Sequence, residues 1–373
     1  MHTHSILVIG GGKIGSVVAA LLAQAPGPRR FRVTVADRSA DQLAELRRDA
    51  SGADIDTLVL DVQDPAQLRA ALQGRFAVLS AAPYHLTVAV AEAARNAGVH
   101  YLDLTEDVAS TRRIRALADG ATSAFIPQCG LAPGFISIVA ADLARRFDTL
   151  DSVRMRVGAL PAYPSNALNY NLTWSTEGVI NEYCEPCEAI VDGRITNVPA
   201  LEEREEFSLD GVLYEAFNTS GGLGTLCESL SGKVRTLNYR TIRYPGHAAI
   251  MKALLHDLRL KDRRGVLKDI LENALPATLQ DVVIVFVTVS GMRDGRLQQE
   301  TYARKIYSQV LAGRLCSAIQ VTTASSLCAM LDLLVEGRLP QRGFVRQEEL
   351  SLSDFLSNRF GGVYGERALA RAA

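Results

Sequence analysis

A strand that runs into glycines and out into a helix is the feature that most constrains this chain. Ser5-Ile-Leu-Val-Ile9 is a short β-branched run, and it leads directly into Gly10-Gly-Gly-Lys-Ile-Gly15, which fits G-x-G-x-x-G. A helix pattern follows from Ile14 through Ala25, and a second strand, Arg32-Val-Thr-Val-Ala36, ends on Asp37, 22 residues past Gly15. In such a turn Gly10 permits the tight bend, Gly12 lets backbone approach a pyrophosphate, and Gly15 lets the helix pack on the strand. The helix start offers N–H groups and the positive end of its dipole to phosphates. Asp37 is placed to accept from two ribose hydroxyls and to repel a 2′-phosphate, so NAD is the expected cofactor. Arg38 beside it softens that preference.

The alternation of strand and helix continues. Ser39-Ala-Asp-Gln42 opens a helix to about Ala50, and Thr57-Leu-Val-Leu60 is a third strand. Asp64-Pro65 starts a helix to about Leu72. Ala77-Val-Leu-Ser80 is a fourth strand, and Leu86 to Ala97 is a helix closed by Gly98. His100-Tyr-Leu-Asp103 and Ser123-Ala-Phe-Ile126 are strands five and six. The fold class is α/β, with an N-terminal Rossmann doubly wound parallel sheet. Ligands in such sheets lie beyond the carboxyl ends of the strands. The expected cofactor contacts are therefore Gly10, Gly12, Lys13, Ile14, Gly15, Asp37, Arg38, Asp61 and Val62, with Ser80, Ala81, Ala82 and Pro83 after strand four.

After a helix at about Phe135 to Phe147 the pattern changes. Asp192-Gly193, Asp210-Gly211 and Asp294-Gly295 each sit between strand-like segments, a strong hairpin signal. Leu237 to Tyr244 alternates at strand period. A second α+β domain with an antiparallel or mixed sheet is expected over 131–320, after a nucleotide-binding domain over 1–130. A helix from Thr322 to about Glu336 opens a third segment, 321–373, whose polar tail from Gly343 to Phe360 holds a short helix. This segment is expected to pack back on the first domain.

Composition narrows the function class. The 40 basic and 41 acidic residues nearly cancel, so neither nucleic acid nor an anionic membrane is an expected partner. The longest apolar run, Val282 to Val287, is far short of the roughly 20 residues that span a bilayer. No charged, apolar and small-residue succession opens the chain, so no signal peptide is expected. Six cysteines in 373 residues are too sparse for a disulfide framework, and the expected compartment is the cytoplasm. Cys184-Glu-Pro-Cys187 has metal-site spacing without a second pair or histidine, so no metal is expected.

Polar residues of the second half gather in Asn218-Thr-Ser-Gly-Gly-Leu-Gly-Thr225 and Arg240-Thr-Ile-Arg-Tyr-Pro-Gly-His247. The first reads as an anion-binding nest or a flexible turn. In the second, Arg243 reads as a bidentate carboxylate ligand or a solvated strand arginine.

Asn218-Thr-Ser-Gly-Gly222, Tyr239-Arg-Thr-Ile-Arg-Tyr-Pro-Gly-His247 and Gly130-Leu-Ala-Pro-Gly134, behind the glycine fingerprint, resemble the saccharopine dehydrogenase-like family. The similarity extends to Tyr170-Asn171 and Glu215-Ala-Phe217. The resemblance implies an NAD-linked dehydrogenase acting on a C–N bond of lysine or a lysine derivative, assembled as a homo-oligomer. It implies Asp103 near the nicotinamide, and Arg243 and His247 as substrate-side residues. Thr219, Ser220, Gly221 and Tyr239 are implied at the substrate. Thr105-Glu-Asp107 departs from the Gly-Gly-His expected in similar lysine enzymes, at the place where the resemblance implies the chemistry.

Oxidation at a C–N bond needs a free nitrogen lone pair. A lysine amine of pKa about 10.4 is neutral at pH 7 in roughly one molecule in 2,500, a cost of about 4.6 kcal/mol. Asp103, Glu106 and His247 are the candidate catalytic groups that offset it. Cleavage of saccharopine remains the alternative, with Arg240, Arg235 and Lys233 as extra cations, and a non-enzymatic nucleotide sensor is a third reading.

Overall fold

The computed structural model describes residues 3–27, 30–49 and 53–365. The chain divides into two units, Met1–Phe135 with Val310–Cys316 and Gln320–Ala373, and Ile136–Gln309 with Ser317–Ile319. In the first unit β1 (Thr3–Ile9), β2 (Arg30–Asp37), β3 (Ile55–Val59), β4 (Ala77–Ser80), β5 (His100–Asp103) and β6 (Ala124–Ile126) form a parallel sheet in the order β6-β5-β4-β1-β2-β3. Ile6, Leu7 and Val8 are fully buried, as in a strand covered on both faces. Between the strands run α1 (Gly15–Ala23), α2 (Ala40–Asp49), α3 (Pro65–Leu72), α4 (Tyr84–Ala97) and α5 (Val108–Ala118). Leu68 of α3 and Val90 of α4 pack with Leu7, Val78, Tyr101 and Phe125 in one core. Each large side chain buried there contributes roughly 1.5–3 kcal/mol.

The helix ends follow local chemistry. Asp64 accepts from the N–H groups of Ala66 and Gln67, Ser39 from that of Gln42, and Asp107 from that of Ser110. Such caps are typically worth about 1 kcal/mol each. Gly98 ends α4 at φ 65°, the left-handed position that favours glycine. The helix expected to reach Ala50 is described to Asp49, and Ala50 lies outside the described residues.

Two expectations at the chain's far end are corrected. The helix placed from Thr322 spans Ala318–Val335, because the buried Asp281 carboxylate accepts from the N–H groups of Ala318 and Ile319. A cap supplied from 37 residues away leaves no local signal. The polar tail contains a two-residue strand, Gly343–Phe344, which pairs in parallel with β6 as the seventh strand. The Ala318–Val335 helix is also long and apolar enough to cross a membrane, and 89% of it is buried. Within it Asp332 is held by Arg359 and Asn358.

The second unit takes in all but the first residue of α6 (Phe135–Ala144), a helix three residues shorter than expected at its C-terminal end. Its strands are β7 (Thr149–Pro161), β8 (Cys187–Val191), β9 (Arg194–Val198), β10 (Glu205–Leu209), β11 (Val212–Asn218), β12 (Thr236–Arg243), β13 (Asp281–Arg293) and β14 (Arg296–Tyr307). They form a mixed sheet in the order β10-β11-β12-β7-β13-β14, with β12 and β7 parallel and the β8–β9 hairpin attached to β12. The three Asp-Gly pairs join hairpins with both residues at positive φ: 48° and 79°, 52° and 77°, 53° and 70°. That is the type I′ geometry.

The sheet curls on itself. Phe207 of β10 stacks 5.3 Å from Phe286 of β13, and Lys305 of β14 reaches Asp210 at 2.9 Å. The concave face encloses Leu160, Tyr214, Ile242 and Ile284. Against the opposite face lies α7 (Thr176–Cys184), almost wholly buried, with Tyr183 and Val179 packed near Phe217, Met251 and Leu267.

Candidate functional site

At the nucleotide end, the glycine turn is closed by its own backbone. A Cβ on Gly15 would stand 1.8 Å from the Gly10 carbonyl oxygen, so no side chain fits there. The Gly10 N–H donates to the Ala36 carbonyl at 2.8 Å, tying the turn to β2. Gly11 N–H donates to Asp37 Oδ2 at 2.8 Å, and Ser39 N–H to Asp37 Oδ1 at 2.9 Å. Each Asp37 oxygen keeps a lone pair for a ribose hydroxyl. Around Gly12 a Cβ would meet nothing within 4 Å, which leaves the open cradle a pyrophosphate needs. Ser80 Oγ, buried where β4 ends, has no hydrogen-bond partner among the described residues. An open cradle and an orphaned hydroxyl at the strand ends fit a dinucleotide. Lys13, Arg38 and Asp61 are exposed, Ile14 is half-buried, Val62 is buried, and Ala81, Ala82 and Pro83 follow β4 on the same rim.

Beyond β5 the acids are placed differently from one another. Asp103 is buried and engaged on both oxygens: Oδ2 accepts from Tyr101 O–H at 2.6 Å, and Oδ1 from the N–H groups of Thr105 at 3.0 Å and Gln128 at 2.8 Å. Burial pushes its carboxyl up to about 6 against those bonds. Glu106 is half-buried and accepts from no neighbouring side chain among the described residues. Burial, then Asp107 and Asp103 nearby, push it up to about 7.

In the second unit the residues around Arg243 form one chain of hydrogen bonds. Arg243 is buried at the end of β12, its guanidinium 4.9 Å over the Tyr170 ring. Its Nε donates to Tyr183 Oη at 2.9 Å, and Nη1 to the Ile242 carbonyl at 2.9 Å. Tyr183 Oη lies 3.1 Å from His247 Nε2, and His247 Nδ1 lies 2.9 Å from the Leu168 carbonyl. A carbonyl only accepts, so Nδ1 carries the imidazole proton, and Nε2 accepts from the Tyr183 hydroxyl. Burial, then Arg243, hold His247 down at about 3, so it stays neutral. Arg243 has no carboxylate within ion-pair distance among the described residues.

The loop after β11 abuts this group. Thr219 Oγ1 lies 2.8 Å from Thr241 Oγ1, and Ser220 Oγ donates to the Pro186 carbonyl. A Cβ on Gly222 would stand 2.2 Å from the Tyr239 ring, so the loop passes over that ring only as glycine. Gly221 adopts φ 87°. The nest reading holds only in part, because Ser220 N–H is engaged by the Glu182 carbonyl and Gly224 N–H by that of Gly221.

The sequence reading missed Tyr183, and it named Glu215 only within the resemblance, without a role. Tyr183 bridges Arg243 and His247 from α7, about 60 positions away. Glu215, buried on β11, accepts from the N–H groups of Gly246 and Ala248, fixing the turn that carries His247. Only the placement of α7 and β11 in the folded unit reveals either role. Cys184 and Cys187 are buried free thiols, and no group of three metal-ligating side chains occurs among the described residues.

Comparison with known proteins gives one direction. Residues 6–126 match the saccharopine dehydrogenase NADP binding domain, and residues 130–360 the saccharopine dehydrogenase C-terminal domain. Mitochondrial alpha-aminoadipic semialdehyde synthase of Rattus norvegicus is 24% identical over 200 residues, 52% of this chain and 21% of that protein. The NADP(+), L-glutamate-forming saccharopine dehydrogenase of Pyricularia oryzae is 24% identical over 287 residues, 74% of this chain and 62% of that protein. The chain thus spans about a fifth of the first relative and under two thirds of the second. The fold matches apo saccharopine dehydrogenase (L-Glu forming) of Saccharomyces cerevisiae at TM-score 0.74 and 17% identity, over 99% of this chain and 97% of that one. With both domains matched, the chain belongs to the saccharopine dehydrogenase family and carries its pyridine-nucleotide-binding domain.

Proposed function

We propose that this protein is an NAD-linked lysine 6-dehydrogenase. L-lysine, NAD and water would give 2-aminoadipate 6-semialdehyde, ammonia and NADH, and the semialdehyde would cyclise to its piperideine. One observation carries the substrate class: Arg243 is a buried cation that makes no ion pair among the described residues, although the charge of Glu182 is felt there. A buried charge is costly unless paired, so a ligand carboxylate is the missing counter-ion. The substrate α-carboxylate supplies it.

The cations that a larger substrate would need are otherwise engaged. Arg240 is paired with Glu203 and Glu205, Arg235 with Asp151, and Lys233 Nζ donates to the Ser229 carbonyl. Saccharopine carries two more carboxylates than lysine, and this arrangement favours the smaller substrate.

A nicotinamide, when bound, supplies the hydride acceptor. The protein's part is to orient the amine and remove its proton. Of the three candidate groups, Asp103 is bonded on both oxygens and His247 on both nitrogens. Glu106 accepts only from its own backbone N–H, and its carboxyl lies near neutral, the range that suits a general base. We assign Glu106 the ammonium proton and give Asp103 and His247 positioning roles. Asp37, against the glycine turn, supports NAD over NADP.

The reading is tested by incubating the protein with NAD and, separately, lysine, saccharopine and other amino acids, following NADH and ammonia. Lysine should give both, with the rate at limiting lysine rising toward alkaline pH. Saccharopine turnover at much higher kcat/KM, without ammonia, would transfer the assignment to saccharopine cleavage. Binding of NADH without turnover of any amine would leave a sensor.

A further inference from the structure

The segment that follows the Ala318–Val335 helix reaches the acid at the end of β5 through one side chain. Gln347 is buried, and its Nε2 donates to the Pro127 carbonyl at 2.8 Å and to Cys129 Sγ at 3.4 Å. Because only the amide nitrogen can donate to a carbonyl, the orientation of the side chain is fixed. Its Oε1 is then a buried acceptor with no donor among the described residues. Between the two clamped residues stands Gln128, at φ 65°, whose N–H donates to Asp103 Oδ1 at 2.8 Å. Cys129 N–H donates to the Asp103 carbonyl at 2.8 Å.

A left-handed glutamine is strained and persists only where neighbours hold it. Asp103 and Thr111 hold one side of this turn, and Gln347 the other. We infer that Gln347 is a positioning residue for Asp103, acting through the 127–129 turn. It deepens the dehydrogenase reading, on which it rests only for the place of Asp103 beside the nucleotide.

Releasing the turn would weaken the Gln128 N–H bond to the carboxylate and raise the Asp103 titration midpoint. The other titratable groups facing Asp103 are Tyr101 on β5, Cys129 in the turn, and Glu106 in the loop after β5. Gln347→Met keeps all three residues, and of them only Cys129 loses a hydrogen bond.

The experiment uses the full chain, free of ligand, with aspartate carboxyl carbons labelled with carbon-13 for NMR. The Asp103 signal is assigned by its loss in Asp103→Asn. In Gln347→Met the midpoint should rise by about one pH unit. Its Tm should fall modestly, because the buried Pro127 carbonyl loses its donor, an effect offset in part by removal of the unpartnered Gln347 oxygen. Gln341→Met, which removes similar bonds to the Leu334 and Leu339 carbonyls, should leave Asp103 unmoved. Gln347→Asn, too short to hold both partners, is the milder variant should Gln347→Met not fold. An unmoved midpoint in a folded Gln347 variant, or an equal shift in Gln341→Met, would overturn the proposal. Because no substrate is present, failure of the lysine assignment cannot mimic either result.

Discussion

The two units bury their charged groups in opposite ways. The first unit holds two acids, the buried Asp103 and the half-buried Glu106, and desolvation pushes both up toward neutrality. The second buries a guanidinium over an aromatic ring, beside a histidine held neutral. A carboxyl answers desolvation by taking a proton, whereas a guanidinium keeps its charge at any accessible pH. The first region can therefore exchange protons as the reaction proceeds. The second offers a charge of constant sign, which suits holding a carboxylate through the whole cycle.

This contrast can be broken at several points. Glu106→Gln removes the proposed proton acceptor and should lower kcat/KM for the amine about a hundredfold, with the ionisation near 7 gone from the pH–rate profile. A profile that keeps that ionisation would move the role elsewhere. Next in size is Arg243→Ala. Losing one partner of a buried charge pair costs roughly 2–5 kcal/mol, so kcat/KM should fall about 30-fold or more while NADH affinity holds. A loss under about threefold in a folded variant is too small for a carboxylate anchor.

The third test reads stability rather than turnover. His247 is lowered from its unfolded value near 6.5 to about 3, so its contribution is present above pH ~6.5 and is lost as pH falls through that window. Asp103 is raised, so its contribution is present below its unfolded value near 4 and is lost as pH rises toward 6. Between those limits the two oppose each other. In denaturant melts near pH 5, His247→Asn should tilt stability downward with rising pH, and Asp103→Asn upward, each by at most about 1.4 kcal/mol per pH unit. Parallel curves for wild type and both variants would refute the contrast.

Smallest is the nucleotide choice. Asp37→Ala should cut the preference for NAD over NADP by on the order of tenfold, or about 1.4 kcal/mol. Wild-type protein that reduces NADP as efficiently as NAD would contradict this reading of Asp37.

What was legible in the residues follows how far each interaction reaches along the chain. The glycine turn, the Asp64 and Ser39 caps and the three Asp-Gly hairpins are local, and spacing alone discloses them. Arg243 and His247 stood out through resemblance, because a strand arginine carries no mark of being buried. Tyr183 and Glu215 organise them from other elements; nothing near Tyr183 in the chain announces that, and the resemblance that names Glu215 gives it no role. The Ala318–Val335 helix start and the Gly343–Phe344 strand were missed for the same reason: Asp281 and β6 define them from afar.

The seventh strand also has a bearing on the order in which the protein can mature. Gly343 and Phe344 pair with Ala124 and Phe125, more than two hundred residues earlier. At ribosomal speeds of about 5–20 residues per second, that separation is roughly 10–40 s of synthesis. Throughout that interval the nascent first unit presents β6 as a naked sheet edge, open to pairing with other chains. The intervening second unit emerges whole in the meantime. Completion of the first unit's sheet is thus deferred until residues 343–344 have left the ribosome.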